Sequence, residues 1–136
     1  MNAPKQAGLP PLPLKDPKLF REQCYLDGAW TGADSGRAFS VDNPATGATI
    51  GSVPAMGAAE TGRAIEAADR AWPAWRARTA KERAILLRKW FDLMMANQDD
   101  LSLLLTTEQG KPLAEAKGEI AYGASFIEWF AEEGKR

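Results

Sequence analysis

The chain has 136 residues, room for one ordinary domain, with 17 Lys and Arg against 18 Asp and Glu and a formal net charge of -1. That balance gives no general attraction to nucleic acid or to an anionic membrane, and 45% hydrophobic with 26% charged residues is the mix of a soluble globular chain. There is no His and a single Cys, which excludes Ser-His-Asp and Cys-His catalysis, nearly all zinc-site patterns and any internal disulfide framework.

The first segment reads as an arm. Five of the nine prolines (Pro4, Pro10, Pro11, Pro13 and Pro17) fall within the first nineteen residues, so residues 1–22 are expected to be flexible and to build no hydrogen-bonded element. The PPLP stretch suits polyproline II and an SH3-type partner, but an arm lying over the surface is the simpler reading and the one adopted. No apolar h-region follows a basic start, so this is not a secretory signal. No apolar run approaches the ~18 residues that span a bilayer. With one thiol, a cytoplasmic setting is expected.

Residues 23–54 read as β-hairpins. CYLDGAW is two short apolar stretches around Asp27-Gly28, a dipeptide suited to a type I′ turn. ADSG at 33–36 is a further turn. Residues 37–42 and 48–53 then flank Asn43-Pro44-Ala45-Thr46-Gly47, a turn built from a fixed-φ Pro and a permissive Gly. Neither G-x-G-x-x-G nor a P-loop pattern occurs anywhere, so no phosphate cradle is visible. Cys24 lies in the first strand with no cationic neighbour in sequence and reads as an inert thiol.

Residues 58–136 read as helical. An Ala-rich helix from about Ala58 should end at Pro73, with Trp72 and Trp75 packing nearby. Thr79-Ala-Lys-Glu82 is a capping box opening the second helix, where Ala84, Leu86, Leu87, Trp90, Phe91, Leu93, Met94 and Met95 cover about half the circumference. A third helix, about Gln98 to Gln109, stops at Gly110, and Pro112 opens the fourth. On that last helix Leu113, Ile120, Ala124, Ile127 and Ala131 fall on one stripe and Tyr122, Phe126 and Trp129 on the opposite side. A helix apolar on opposite faces is normally sandwiched between two layers. The first three helices and the hairpins account for one layer. The expectation is therefore an α+β segment of a larger protein, with a pocket lined by the aromatics or a partner chain as alternatives.

Three stretches resemble the N-terminal portion of an aldehyde dehydrogenase: YLDGAW at 25–30, VDNPATGATIGSVP at 41–54 and TTEQGKPLAEAKGEI at 106–120. The last, continuing as ASFIEWFAEEGKR at 124–136, is similar to the succinate-semialdehyde branch in particular. The resemblance covers residues 23–136 and implies that they form the N-terminal part of an α/β aldehyde dehydrogenase domain, ending before the cofactor-binding sheet and the catalytic residues. It implies an NAD- or NADP-dependent oxidation of succinate semialdehyde to succinate, within 4-aminobutyrate degradation. In that mechanism a Cys thiolate attacks the aldehyde, hydride passes to the nicotinamide, and a Glu-activated water hydrolyses the thioester.

In the family the nucleophile, base, substrate Arg and cofactor strands follow the equivalent of Arg136. No catalytic and no cofactor-binding residue is therefore assigned to this chain, which alone is expected to be inactive. Cys24 does not match the family's nucleophile motif, nor do Glu108, Glu115 or Glu119 match its base motif. The resemblance also implies a monovalent cation held by the carbonyls of Val41 and Asp42 and by Glu108, an aldehyde entrance bordered by Tyr122, Phe126 and Trp129, and a homo-oligomer. The partners it implies are the small aldehyde and the rest of its own chain, with no nucleic acid and no membrane. The competing reading is a stand-alone helical interaction module whose aromatic face docks a partner helix.

Overall fold

The computed structural model of the chain describes residues 12–136. Two separate two-stranded sheets precede four helices, the expected α+β order. β1 (Cys24–Leu26) pairs antiparallel with β2 (Ala29–Thr31), Tyr25 opposite Trp30. Asp27 and Gly28 between them have φ of 49° and 84°, the left-handed pair that a type I′ turn requires. The Tyr25 and Trp30 rings meet edge to face at 5.3 Å, and the Arg21 guanidinium lies 4.7 Å from the Trp30 ring centre. These contacts support strands too short to persist on ladder bonds alone.

β3 (Ala38–Asp42) pairs antiparallel with β4 (Thr49–Pro54), with a bulge at Val41/Asp42. Their turn is closed locally. The Asn43 side chain accepts the Ala45 N–H at 2.9 Å, and the Gly47 N–H donates to the Asn43 carbonyl at 2.7 Å.

α1 runs from Ala58 to Ala77, four residues beyond the end expected at Pro73. Proline removes one N–H, which would have bonded the Asp69 carbonyl, but Asp69 and Pro73 are both exposed and water can satisfy the freed group. The residues that follow, Ala74 to Ala77, continue the helix. Its start is held by Glu60, whose carboxylate accepts the N–H of Gly57 at 3.0 Å and of Asp34 at 2.9 Å. Arg63 forks onto the Asp34 carboxylate with two 2.8 Å bonds, and Arg70 reaches Asp27 at 3.1 Å. α1 is thus moored to the hairpins by polar contacts.

α2 (Ala80–Ala96) opens with the expected capping box: Thr79 Oγ1 accepts the Glu82 N–H at 3.3 Å, and Glu82 Oε2 accepts the Thr79 N–H at 2.7 Å. α3 (Gln98–Gln109) follows after the single joint residue Asn97, whose side-chain amide donates back to the Leu93 carbonyl at 2.8 Å. Gly110, at φ 80°, ends α3 in the left-handed conformation, and α4 (Leu113–Glu133) begins after Pro112.

The helical core is α4 packed on α2 and α3. Ala116, Ala124 and Ala131 are buried on its inner face, opposite helices that include the buried Ala84; small side chains there let the helix axes approach closely. Two expectations need correction and a third is extended. Leu113 is exposed rather than core, because the inner stripe begins one turn later at Ala116. α1 adds little to the layer over α4, whose main packing is against α2 and α3. And α2 is itself apolar on two sides: Leu86, Trp90 and Leu93 are exposed while Ala84, Leu87, Phe91 and Met94 turn inward.

The arm expected over residues 1–22 also differs where it is described. Pro17–Leu19 form a 3-10 turn capped by Asp16, which accepts the Lys18 N–H at 3.0 Å. Proline suits this position because the first residues of a helical turn need no N–H donor. Pro4, Pro10 and Pro11, and with them the first half of the PPLP stretch, lie outside the described residues. Among the described residues no helix is long and apolar enough to cross a membrane.

Candidate functional site

The turn between β3 and β4 sits on the turn between α3 and α4. A Cβ added to Gly110 would come within 2.9 Å of Pro44 Cγ, so glycine serves both the positive φ and the close approach. Beside this contact Lys111 forms an ion pair with Glu119 and ties the turn to α4. The two motifs that looked most distinctive in sequence, NPATG and EQGKP, are therefore in physical contact.

That contact brings Val41 and Glu108 to one cavity of about 160 Å³, whose other walls include Phe20, Glu22, Ile50 and Ser52. Phe20 lies against β4 because position 51 is Gly: a Cβ there would meet the ring at 2.8 Å. Glu22 Oε1 accepts the Ser52 N–H at 2.8 Å. Asp42 does not join the cavity. Its carboxylate instead accepts the Thr49 hydroxyl at 2.7 Å across the bulged end of the hairpin. The residue that sequence reading missed is Glu22, which fell inside the proline-rich arm, where no local pattern marks it.

The cavity is well below the ~300–1,000 Å³ of small-molecule pockets. It suits an ion or a few waters and does not accommodate a dinucleotide. Among the described residues no group of three or more His, Cys, Asp or Glu is placed to hold a metal ion. Any cation here would rest on carbonyl oxygens with one or two carboxylates, the donor set of a hard ion.

The arm reaches this cavity by way of α3. Asp100, buried in the first turn of α3, accepts the backbone N–H groups of Lys15 at 3.0 Å and Asp16 at 2.8 Å. These bonds, that of Asp16 foremost, hold the Asp100 carboxyl below the ordinary carboxylate range. Its neighbour Asp99 bridges Lys117 at 2.7 Å and Lys15 at 2.9 Å, and hydrogen bonds from those two ammonium groups lower it to about 2.

Tyr122, Phe126 and Trp129 share the outer face of α4 as expected, and all three are exposed, at 65%, 47% and 62%. Tyr122 and Phe126 stack edge to face at 4.9 Å. A wider groove of about 470 Å³ runs between the start of α2 and the end of α4 and includes Lys81, Arg88, Glu132 and Lys135. Its charges are largely spent internally: Arg88 pairs with Glu128 at 2.6 Å and Lys135 with Glu132 at 2.6 Å. Cys24 is half-buried in β1, opposite Thr31. Among the described residues no side-chain hydrogen bond joins Cys24 to a basic group.

Two small hairpins, an Ala-rich helix, a capped helix and a final double-faced helix follow one another in the order that the family resemblance implied. The Aldehyde dehydrogenase family profile matches residues 30–136, and the chain belongs to that family. It is 74% identical over 123 residues to the glutarate-semialdehyde dehydrogenase of Pseudomonas aeruginosa, covering 90% of this chain and 26% of that protein. It is 67% identical over 123 residues to the NADP(+) succinate-semialdehyde dehydrogenase of Escherichia coli, with 90% and 26% covered. Among solved structures, succinate-semialdehyde dehydrogenase from Burkholderia pseudomallei superposes with a TM-score of 0.90 at 69% identity, over 91% of this chain and 26% of that one. The chain thus spans about a quarter of the length of the relatives it matches.

Proposed function

We propose that this chain is the N-terminal part of an NAD- or NADP-dependent semialdehyde dehydrogenase, acting on a short aldehyde that carries a carboxylate at its far end. The observation that carries the reading is the 74% and 67% identity to enzymes named for glutarate and succinate semialdehydes. Those two substrates differ by one methylene, so the shared chemistry is an aldehyde opposite an anion. Succinate semialdehyde alone, the narrower sequence expectation, gives way here to that pair.

In this reading the chain supplies scaffold and approach rather than chemistry. The 160 Å³ cavity is too small for a dinucleotide, and no Gly-rich phosphate loop occurs. No hydride-transfer step is therefore derived from this chain. The cofactor, when bound by the whole protein, accepts the hydride. Tyr122, Phe126 and Trp129 border the aldehyde's entry, an assignment supported by their shared exposure on one side of α4. The Val41 carbonyl and Glu108 hold a monovalent cation that braces the NPATG turn, which their common cavity supports; Asp42 is not among that cavity's walls. A homo-oligomer follows from the family resemblance.

The test is steady-state turnover of the whole protein on succinate and glutarate semialdehydes, set against butanal and pentanal, with each nicotinamide cofactor. Both semialdehydes should be oxidised, with kcat/KM exceeding the uncharged aldehydes by on the order of 10²-fold, since a site built for a carboxylate is left unpaired by the neutral analogue. Equal turnover of charged and uncharged aldehydes would remove the anion from the proposal. No aldehyde-dependent nicotinamide reduction would remove the enzyme.

A further inference from the structure

We propose that residues 15–22 form a strap latched by Asp100, and that this latch closes one wall of the cavity shared by Val41 and Glu108. The strap is attached at two ends. At its start the Asp100 carboxylate takes the consecutive backbone N–H groups of Lys15 and Asp16, at 3.0 and 2.8 Å, from a buried position on α3. At its far end Glu22 takes the Ser52 N–H at 2.8 Å, and the Phe20 ring lies against Gly51. Between them runs the 3-10 turn Pro17–Leu19. Phe20 and Glu22 are themselves cavity walls, so the cavity exists only while the strap is down.

The asymmetry of the attachments identifies the latch. Bonds from exposed side chains, such as Lys15 to Asp99, exchange readily with water and hold little. A buried carboxylate accepting two backbone donors makes charge-assisted bonds that water replaces only if the carboxylate is itself uncovered. Opening at Asp100 therefore releases the start of the strap, leaving Phe20 and Glu22 anchored only at β4. This inference stands apart from the proposed activity and needs no bound cation or cofactor.

The test uses the whole protein and two variants, Asp100→Ala and Lys15→Pro. The second removes one backbone donor from the strap, together with the exposed Lys15–Asp99 ion pair, and leaves every residue of α3 unchanged. The readouts are tryptic cleavage after Lys18 and Arg21 and hydrogen exchange at Ser52, with exchange across α2 to α4 followed in parallel. Both variants should be cleaved roughly tenfold faster or more, and Ser52 should lose protection, while the helices exchange as before. If Asp100→Ala also loosens α3, Lys15→Pro decides the matter. Unchanged cleavage and unchanged Ser52 protection in Lys15→Pro would overturn the latch.

Discussion

Cys24 is the chain's single thiol, and its surroundings argue against chemistry. It sits half-buried on a three-residue strand, paired across to Thr31, with no Lys and no helix start beside it in sequence. In the whole protein Cys24→Ser should leave turnover within a few-fold of wild type. A loss on the order of 10³-fold in a folded variant would make Cys24 a participant. The carboxylates carry the pH dependence instead. Asp34, Glu60, Glu82, Asp99, Asp100 and Glu132 are all lowered by hydrogen bonds from backbone, hydroxyl, ammonium or guanidinium donors, Asp99 to about 2. Each binds its proton more tightly in the unfolded chain, at about 3.9–4.3, than in the folded one. Their contribution is therefore complete above about pH 5 and is lost as pH falls toward 2. Thermal melts across this range should show a flat midpoint above pH 5 and a steep fall below pH 4; a midpoint that rises on acidification would contradict the assignment of these bonds.

At the scale of elements, what was legible in the sequence is what neighbours decide. Asp27-Gly28, the Asn43–Gly47 turn, the Thr79/Glu82 capping box and the Gly110 stop each satisfy their backbone groups within a few residues, and each forms as expected. What was not legible depends on distant parts of the chain. Pro73 is tolerated because α1 lies at the surface. The arm is fastened by the Asp100 carboxylate, 85 residues from Lys15 and 84 from Asp16. Glu22 became a cavity wall through the same docking. The candidate cation residues divided for a comparable reason: the bulge at Val41/Asp42 leaves Val41 on the cavity and turns Asp42 to Thr49. Gly110 is where local and distant demands coincide, through φ 80° and the 2.9 Å approach to Pro44. Gly110→Ala should lower stability by about 2 kcal/mol. Denaturant unfolding measures this, and a loss of only a few tenths would mean that the two turns do not press on each other.

Across the whole molecule the dominant feature is apolar surface without cover. α4 exposes Tyr122, Phe126, Trp129 and Phe130, α2 exposes Leu86, Trp90 and Leu93, and α1 exposes Ile65 and Trp72. Contiguous patches of this kind mark interaction surfaces or aggregation liabilities. The isolated 136-residue chain should therefore self-associate or bind dyes that report exposed apolar surface, while retaining its helical signal. A monodisperse, dye-silent monomer that unfolds cooperatively would return the account to a self-standing interaction module.

The central claim is that this chain contributes structure and substrate approach to a semialdehyde dehydrogenase but none of its bond-making groups. It is tested most directly by assaying the purified 136-residue chain beside the whole protein, with succinate or glutarate semialdehyde and either nicotinamide cofactor. The account predicts aldehyde-dependent cofactor reduction by the whole protein and none above blank by the chain alone. A thiol-dependent rate from the chain, proportional to its concentration and abolished by Cys24→Ser, would contradict it.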